Sequence, residues 1–582
     1  MAGRRFELTR LPGGLLALAL IQATADVLRR EWSLSILYRW LLTRPVPEGL
    51  NAVTPANPRP ASPSQGRAIL AGRYDLAAAV LDVGTAGDPW DRPSPSLAFA
   101  RDLHSMAWLP DLLSVGPDAR AEALRLVVGW SRIFAKWNAF SWGEPVLSRR
   151  VFALACALPE LLQEAAEPDR SSIINDFARQ ARHLLASRHR PQVAAHQAIA
   201  VALAGCILSG KAGDQLLKKG LDRLVTALSA SLEASGGHAS RSPQAALELM
   251  FDLQTLAGAL HQRGTPPPPP VVRAMETLHQ TLQVFILRDG CLPDMQGGEA
   301  CRPSYIAAAR IEAPTGALPA GRNGYQRMDG RSLQVVVDAA APAEGPWSAG
   351  ACAQPLGLDV LVHSRRLIVA CGWSPGALGP QALRLVDAGS TLTVGDGGCG
   401  VLLTGFAAKV LGTRLNSSYR EVDVRRHEAE GGVWLDLQHD AWTRRYQLRH
   451  ERRLFLDLDA DELRGEDRLT PLVDGAAAET KRRLVPFTLR FHLHPTVRAS
   501  QSRDGRSVVL QAGDAPIGWR LRSDAQDISI EASVYFDSLR TRRSQQVVLR
   551  GMARVDSGAR VRWKLAADPQ SSSRIDVRSG AL

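Results

Sequence analysis

The chain reads as an α + β protein with an α-helical N-terminal half followed by an all-β C-terminal half. Three observations predict this. From about residue 95 to 290, apolar residues recur at intervals of three and four, which gathers them into one stripe on a helix. After about residue 325 the interval becomes two, the alternation of a strand with one buried face. Between the two regimes, residues 289–325 are rich in Gly, Pro and Ala and carry neither period.

The N-terminal segment, residues 1–40, has two open readings. Arg4, Arg5 and Arg10 precede an apolar stretch from Leu15 to Ile21 and then Ala23-Thr24-Ala25, which imitates a signal peptide. Pro12, Gly13 and Gly14 interrupt that pattern, and the alternative is a first amphipathic helix leading to Leu37-Tyr38-Arg39-Trp40. No stretch approaches the roughly 20 apolar residues of a membrane span.

Four helices are marked by their stripes: Ile174, Phe177, Ala181 and Leu184; Leu217, Leu221, Leu224 and Leu228; Leu249, Leu253, Leu256 and Leu260; and Val271, Met275, Leu278, Leu282 and Phe285. Their connections are short, and the five prolines after Thr265 form a stiff connector too short to be a domain linker. Many helices with short loops mean an antiparallel stack, a solenoid or a closed toroid, and the absence of an exact repeat weighs against the solenoid.

Strands are expected at Ser332 to Asp338, Leu367 to Ala370, Ser390 to Val394, Val433 to Leu437, Leu454 to Leu458, Val508 to Leu510, Ile528 to Glu531, Val547 to Leu549 and Val561 to Leu565. The clearest is Phe487, Leu489, Phe491 and Leu493 on one face against Thr488, Arg490, His492 and His494 on the other. Short strands without intervening helices predict an antiparallel sandwich.

The chain has 582 residues, 45% hydrophobic and 22% charged, enough for a large core. Its 70 basic and 58 acidic side chains leave a net charge of +12. The basic residues are mostly arginine, which grips carboxylate and sulfate through paired hydrogen bonds. That surplus points to a polyanionic partner, with genomic base composition as the standing alternative. No recognisable nucleic-acid-reading module accompanies it. The seven cysteines, Cys156, Cys206, Cys291, Cys301, Cys352, Cys371 and Cys399, contain no C-x-x-C pair, which argues against a zinc ribbon or a disulfide scaffold. Cys156 and Cys206 read as core, while Cys291 and Cys301 flank one loop.

A set of motifs runs through most of the chain in a fixed order. Asp88-Pro89-Trp90 is followed by His104 and Trp108-Leu109-Pro110-Asp111, then by Trp137 to Trp142 with Ser148-Arg149-Arg150. Gly236-Gly237-His238-Ala239-Ser240-Arg241-Ser242-Pro243 comes next, then Gly324-Tyr325-Gln326-Arg327. The most recognisable run is His439-Asp440-Ala441-Trp442-Thr443-Arg444-Arg445-Tyr446, continuing to His450-Glu451-Arg452-Arg453 and Asp461 to Leu469; Phe491-His492-Leu493-His494-Pro495 follows. Together these resemble heparinase II/III-like proteins, a polysaccharide lyase family. The resemblance implies an incomplete (α/α) toroid over residues 41–315, followed by an antiparallel β-sandwich over 316–582. It also implies β-elimination of uronate-containing polysaccharide at the junction of the two.

Such an elimination removes the C5 proton beside a uronate carboxylate. A polar or cationic group must neutralise that carboxylate, and a Tyr or His must move the protons. The catalytic candidates are therefore Tyr325, His238, Arg241 and His439; the substrate-binding candidates are Arg149, Arg150, Arg327 and Trp142. His238 and Arg241 precede a helix starting near Pro243, whose N-terminus suits an anion; the alternative is that Ser240 or Ser242 merely caps that helix. Tyr325 would need its pKa lowered by nearby arginines, of which Arg322 and Arg327 are close in sequence.

Two positions depart from the family pattern. Gly389 stands where the family has a histidine before its Ser/Asn-Thr strand, and Cys352 lies near a second family histidine. No cofactor is expected. His492 and His494 share a strand face that could suit a divalent metal, but no third ligand is apparent. The acidic residues from Asp457 to Asp467 lack EF-hand spacing and read as a solvated turn. The leading expectation is a lyase-like enzyme of the cell envelope or periplasm, or of the cytoplasm if residues 1–40 are not a signal. Its partner would be an acidic polysaccharide, with no nucleic acid and no transmembrane segment. The alternative is a catalytically inactive acidic-polysaccharide-binding protein on a lyase fold.

Overall fold

The computed structural model describes residues 13–163, 165–188, 190–312, 318–375, 380–472, 483–537 and 540–568. Helices occupy the chain up to Phe285, with one early exception, the hairpin of strands Arg73–Leu76 and Ala79–Asp82. The four striped segments lie in helices Glu167–Ala186, Gly210–Ser231, Pro243–Gln262 and Pro269–Phe285. The last of these starts inside the proline run: Pro269 and Pro270 fill its first turn, where a missing N–H costs nothing.

Helix Pro191–Ile207 organises this half. It has no stripe, because its residues from Gln197 to Ile207 are all buried, the pattern of a helix surrounded on every side. Helices Val146–Leu161, Glu167–Ala186, Gly210–Ser231 and Pro243–Gln262 pack on it. The closest approach is to Gly210–Ser231, where a Cβ on Gly205 would sit 2.2 Å from the Leu217 nitrogen and one on Gly220 2.7 Å from the Ala202 nitrogen. Glycine lets the two backbones meet.

The C-terminal half is two antiparallel sheets. One runs Val422–Ala429, Gly432–His439, Leu448–Asp457, Glu462–Pro471, Ala559–Asp568, Gly518–Ser523, Ser507–Ala512, Val497–Gln501. The other runs Asp527–Asp537, Arg540–Arg554, Leu484–Leu493, Arg365–Val369, Leu358–Val362, Leu333–Asp338, Tyr325–Asp329, Gly321–Arg322, with Leu392–Val394 pairing to Leu484–Leu493. Leu435, Leu454 and Leu463 from the first sheet share one core with Val335, Leu489 and Val547 from the second. Phe487, Leu489, Phe491 and Leu493 point into that core as their alternation requires. The expected acidic turn is only half a turn. Asp459 and Asp461 sit near the bend, but Glu462–Pro471 is a strand with Asp467 buried inside the sandwich.

The N-terminal helix, Gly13–Leu34, lies against helix Gly405–Leu411 of the β half through Leu15, Leu18 and Ala19. It leaves Leu20, Ile21, Val27, Leu28 and Trp32 exposed, and helix Ile36–Leu41 adds Ile36, Leu37 and Trp40. Among the described residues no helix is long and apolar enough to cross a membrane.

Candidate functional site

The Gly-Gly-His-x-Ser-Arg-Ser-Pro segment forms the joint between the halves. Ser242 caps helix Pro243–Gln262 by accepting from the Ala245 N–H at 3.3 Å. Arg241 adopts a left-handed φ of 60°, which turns its side chain out of the helix line and into the β half. There its guanidinium donates to the carbonyls of Gly324 (3.0 Å), Ala340 (3.1 Å) and Ala341 (2.8 Å) and to the Asp338 carboxylate. It is 3% exposed and has no donor aimed at solvent. Burial acts to lower its pKa, but Asp338 outweighs this and raises it.

Tyr325 is equally enclosed: its hydroxyl donates to the Arg241 carbonyl at 3.0 Å, and burial, reinforced by Asp338, pushes its pKa well up instead of down. Arg322 turns away to Thr281 and Gln280. The His238 ring is bonded to Ser240 at 2.7 Å, stands edge-on to Trp347 at 5.2 Å, and is driven down to about 3 by burial. All three are buried and bonded within the protein at the joint between the halves.

Three of the substrate-binding candidates are likewise bonded within the protein. Arg150 is fully buried, donates to Gln180 (2.7 Å) and the His104 carbonyl (3.0 Å), and stacks over Trp130 at 4.2 Å. Trp142 is buried beside Tyr38 and Leu42, with its indole N–H on the Phe134 carbonyl. Arg327 bridges the Val284 and Ile286 carbonyls to Asp329.

His439 lies in a closed chain inside the sandwich. The Ala441 N–H donates to His439 Nδ1, so His439 Nε2–H donates to His450 Nδ1 at 3.0 Å, and His450 Nε2–H to Asp467 at 2.8 Å. Arg452 and the Trp563 N–H complete the Asp467 shell at 2.7 and 2.9 Å. All five side chains are buried, so the most recognisable run of the sequence encodes a core network.

The two departures are filled positions. A Cβ on Gly389 would lie 2.9 Å from the Gln354 Cβ, and the Gln354 amide is anchored to the Leu383 carbonyl at 2.9 Å. Cys352 is buried with its backbone N–H and carbonyl both bonded to the Gln296 side chain at 3.0 Å. His492 is held by Ser533 and the Asp387 carbonyl. Among the described residues no group of three His, Cys, Asp or Glu could hold a metal.

Arg149 is placed differently. Its side chain is 59% exposed and meets Asp102 only at 4.0 Å. Its charge acts on carboxyls of neighbouring segments. One is Glu144, whose carboxyl is raised by burial and pulled back by Gln197, Ser148 and the charges of His196 and Arg149. Another is Glu299, pushed up to about 7 by burial and by Glu248. On the adjoining helices, His196 Nδ1 lies 2.6 Å from Asp252, and Asp252 is clamped by Arg59 at 2.8 Å. Arg59 also holds Glu248 at 2.7 Å, and Tyr305 donates to Glu248 at 2.8 Å. The β half closes in through Pro346, whose carbonyl accepts from Gln192 at 2.5 Å, and through Trp347. The available signal was a polar residue interrupting an apolar helix: His196 stands among Ala, Val, Ile and Leu, and Asp252 between Phe251 and Leu253.

Residues 313–564 match the family described as heparinase II/III-like, C-terminal. The chain is 47% identical over 560 residues, 96% of it and 97% of the relative, to FtsZ-localized protein C of Caulobacter vibrioides. Its fold is similar to that of the crystal structure of heparinase III, with a TM-score of 0.66 over 89% of this chain and 86% of the other at 14% identity. It is similar also to heparan sulfate lyase HepC from Pedobacter heparinus, with a TM-score of 0.55 over 91% and 87% at 14% identity.

Proposed function

This chain belongs to the heparinase II/III-like family, and we propose that it is a lyase-derived protein of the cell envelope that engages an acidic, uronate-bearing polysaccharide through Arg149. We read the helical half as the family's incomplete (α/α) toroid; the packing of four helices around Pro191–Ile207 supports that reading. The observation that carries the function is Arg149 itself. In a chain whose other candidate arginines are spent on carbonyls and carboxylates, its guanidinium is open, and its charge acts on Glu144 and Glu299. An open arginine can take a uronate carboxylate through two parallel hydrogen bonds.

Binding without cleavage by the family's residues is the reading favoured at two points. Gln354 occupies the space a side chain at 389 would need, and Cys352 is sealed under Gln296. The relative's name supports a location: we propose that this chain, too, localises with FtsZ. Its N-terminal helix supports attachment to an anionic membrane surface, since Leu20, Val27 and Leu28 are exposed beside Arg29 and Arg30. The helix packs on the β half, which favours a retained segment over a removed leader.

The experiment is direct binding of polygalacturonate, alginate, hyaluronan and heparan sulfate to the whole chain and to Arg149→Gln. Binding to at least one polymer, weakened tenfold or more by the substitution, supports the reading. Equal binding by both proteins, or none by either, rejects it.

A further inference from the structure

We propose that the outer face of the first sheet carries a phosphate-binding site built on Arg464, Lys564 and Arg522. Its ligand is a small molecule or a headgroup that bears a phosphomonoester or a diphosphate. The site shares no residue with the surroundings of Arg149 and does not depend on the polysaccharide reading.

A cavity of about 490 Å³ opens on this face, over strands Leu448–Asp457, Glu462–Pro471, Ala559–Asp568 and Gly518–Ser523. Alternation sends Gly465 and Trp563 inward, and Arg464, Glu466, Arg562 and Lys564 outward. Gly465 and Trp563 thus supply the floor, and the long polar side chains supply the walls. A Cβ on Gly465 would lie 2.1 Å from the Trp563 ring, so the floor has no room for a larger residue.

The walls carry a charge pattern that the sandwich does not require. Arg464 stands directly opposite Lys564, and Lys564 directly opposite Arg522. Like charges in direct register on adjacent strands are destabilising. Glu462, at the end of its strand, answers Lys564 and also Arg464, at 2.6 Å, and Asp457 meets Arg464 at 3.3 Å. The neighbouring cations are matched separately, Arg453 by Asp436 at 2.5 Å and Arg562 by Asp524 at 3.0 Å. Arg522 lines the cavity, is exposed, and has no ion pair or side-chain hydrogen bond among the described residues.

The spacing selects the anion. Adjacent strands are about 4.8 Å apart, so the three cations stand over a span of roughly 10 Å. A carboxylate offers one charge and two oxygens, which a single guanidinium satisfies. A phosphomonoester carries about −1.5 to −2 and three acceptor oxygens, enough to engage several of these side chains at once. Phe455 stands opposite Arg464 and stacks on Trp434 at 4.4 Å, so an aromatic wall continues the row beside the cations. That wall suits the organic part of a phosphate ester.

The test titrates the whole chain at constant ionic strength with inorganic pyrophosphate and with ADP. In parallel it measures co-sedimentation with phosphatidylcholine vesicles containing phosphatidic acid, whose headgroup is a phosphomonoester. Parent protein is compared with Arg522→Gln and Lys564→Gln, both on the solvent face, where neither side chain supports the core. The expected result is binding of at least one probe that weakens about tenfold or more in each variant, with polygalacturonate at equal charge failing to displace it. A loss confined to the soluble probes identifies a free phosphate ester as the ligand, and a loss of vesicle binding identifies a headgroup. Absence of binding to every probe overturns the inference, as does binding unchanged in either variant. Displacement by polygalacturonate as effective as by pyrophosphate also overturns it, since the face would then be a general anion surface. None of these outcomes bears on Arg149, whose own substitution tests the polysaccharide reading.

Discussion

Arg241 and Asp338 form a salt bridge across the joint between the helical and β halves, with side chains only 4% and 3% exposed. The pair is the centre of the weld: Gln296 donates to the other Asp338 oxygen at 2.6 Å, and Tyr325 covers Arg241 from 5.1 Å. Removing one member of such a buried pair leaves a charge without a partner, which costs about 3–5 kcal/mol. Arg241→Ala is therefore expected to destabilise the protein by that amount in urea unfolding. Arg241→Met paired with Asp338→Leu should cost less, because no charge is stranded. A single substitution that shifts stability by under about 1 kcal/mol would show that the joint is not held there.

Acid should unfold the protein from a higher pH than its carboxylates alone require. Burial lowers His104, His183 and His492 from the usual 6.5 to about 4 and His238 to about 3, and drives His439 further down. A histidine with a lowered folded pKa is neutral in the fold and takes up its proton first in the unfolded chain. Its contribution is therefore complete above pH 6.5 and is lost as the pH falls toward the folded value. Each such group contributes a slope of about 1.4 kcal/mol per pH unit in that window. Asp467, held down by Arg452 and His450 against its burial, adds a further loss below the usual carboxylate range. Urea midpoints at pH 7.5, 6 and 5 should fall steeply over the last step. A midpoint unchanged from 7.5 to 5 would contradict the burial of these rings.

The exposed face of helix Gly13–Leu34 gives a third expectation. Leu28 is 67% exposed and Leu20 54%, with Arg29 and Arg30 on the adjacent surface. Full burial of one leucine in a bilayer interface is worth roughly 1.5–3 kcal/mol, so Leu28→Asp should weaken co-sedimentation with vesicles containing anionic lipid by about tenfold or more. The folded core should be unaffected, since this face packs against nothing in the protein's own core. Binding that persists in the variant, or that is equal with neutral vesicles, would count against a membrane role for this face.

The fold was legible because its two periods are physical consequences of burial on one face, and both survive into the structure at Leu249–Leu260 and Phe487–Leu493. The site was less legible. Sequence singles out polar residues in conspicuous motifs, but a motif records any demanding environment, including a dry one. Arg150, Arg241, His439 and Tyr325 are demanding because each must satisfy its polar atoms inside a core. Arg149, next to Arg150 in the chain but turned by one helical step, keeps its side chain open to solvent. His196 and Asp252 are 56 residues apart and meet only because their two helices pack, a juxtaposition no single-helix pattern carries. The buried strand Glu462–Pro471 was hidden by its charges, since Arg464, Glu466 and Arg468 alternate with Leu463, Gly465 and Asp467 on the inner face.

The position of Gly389 yields the last expectation. Restoring a histidine there does not restore an open imidazole, because the new Cβ meets the Gln354 Cβ at 2.9 Å and its Cγ at 3.0 Å. The neighbours cannot withdraw easily: Gln354 is buried and its amide is tied to the Leu383 carbonyl, while Ser390 bonds the Val369 carbonyl at 2.7 Å. Gly389→His alone is thus expected to destabilise by about 1–3 kcal/mol through overcrowding and to add no polymer turnover. Combining it with Gln354→Ala removes the Cγ and Cδ contacts while the Cβ contact stays, so the pair should recover part of the lost stability, a coupling that a double-mutant cycle in urea measures directly. Strictly additive losses would mean that Gln354 is not what fills the site. A gain of turnover in the single variant would mean that the space was open from the start.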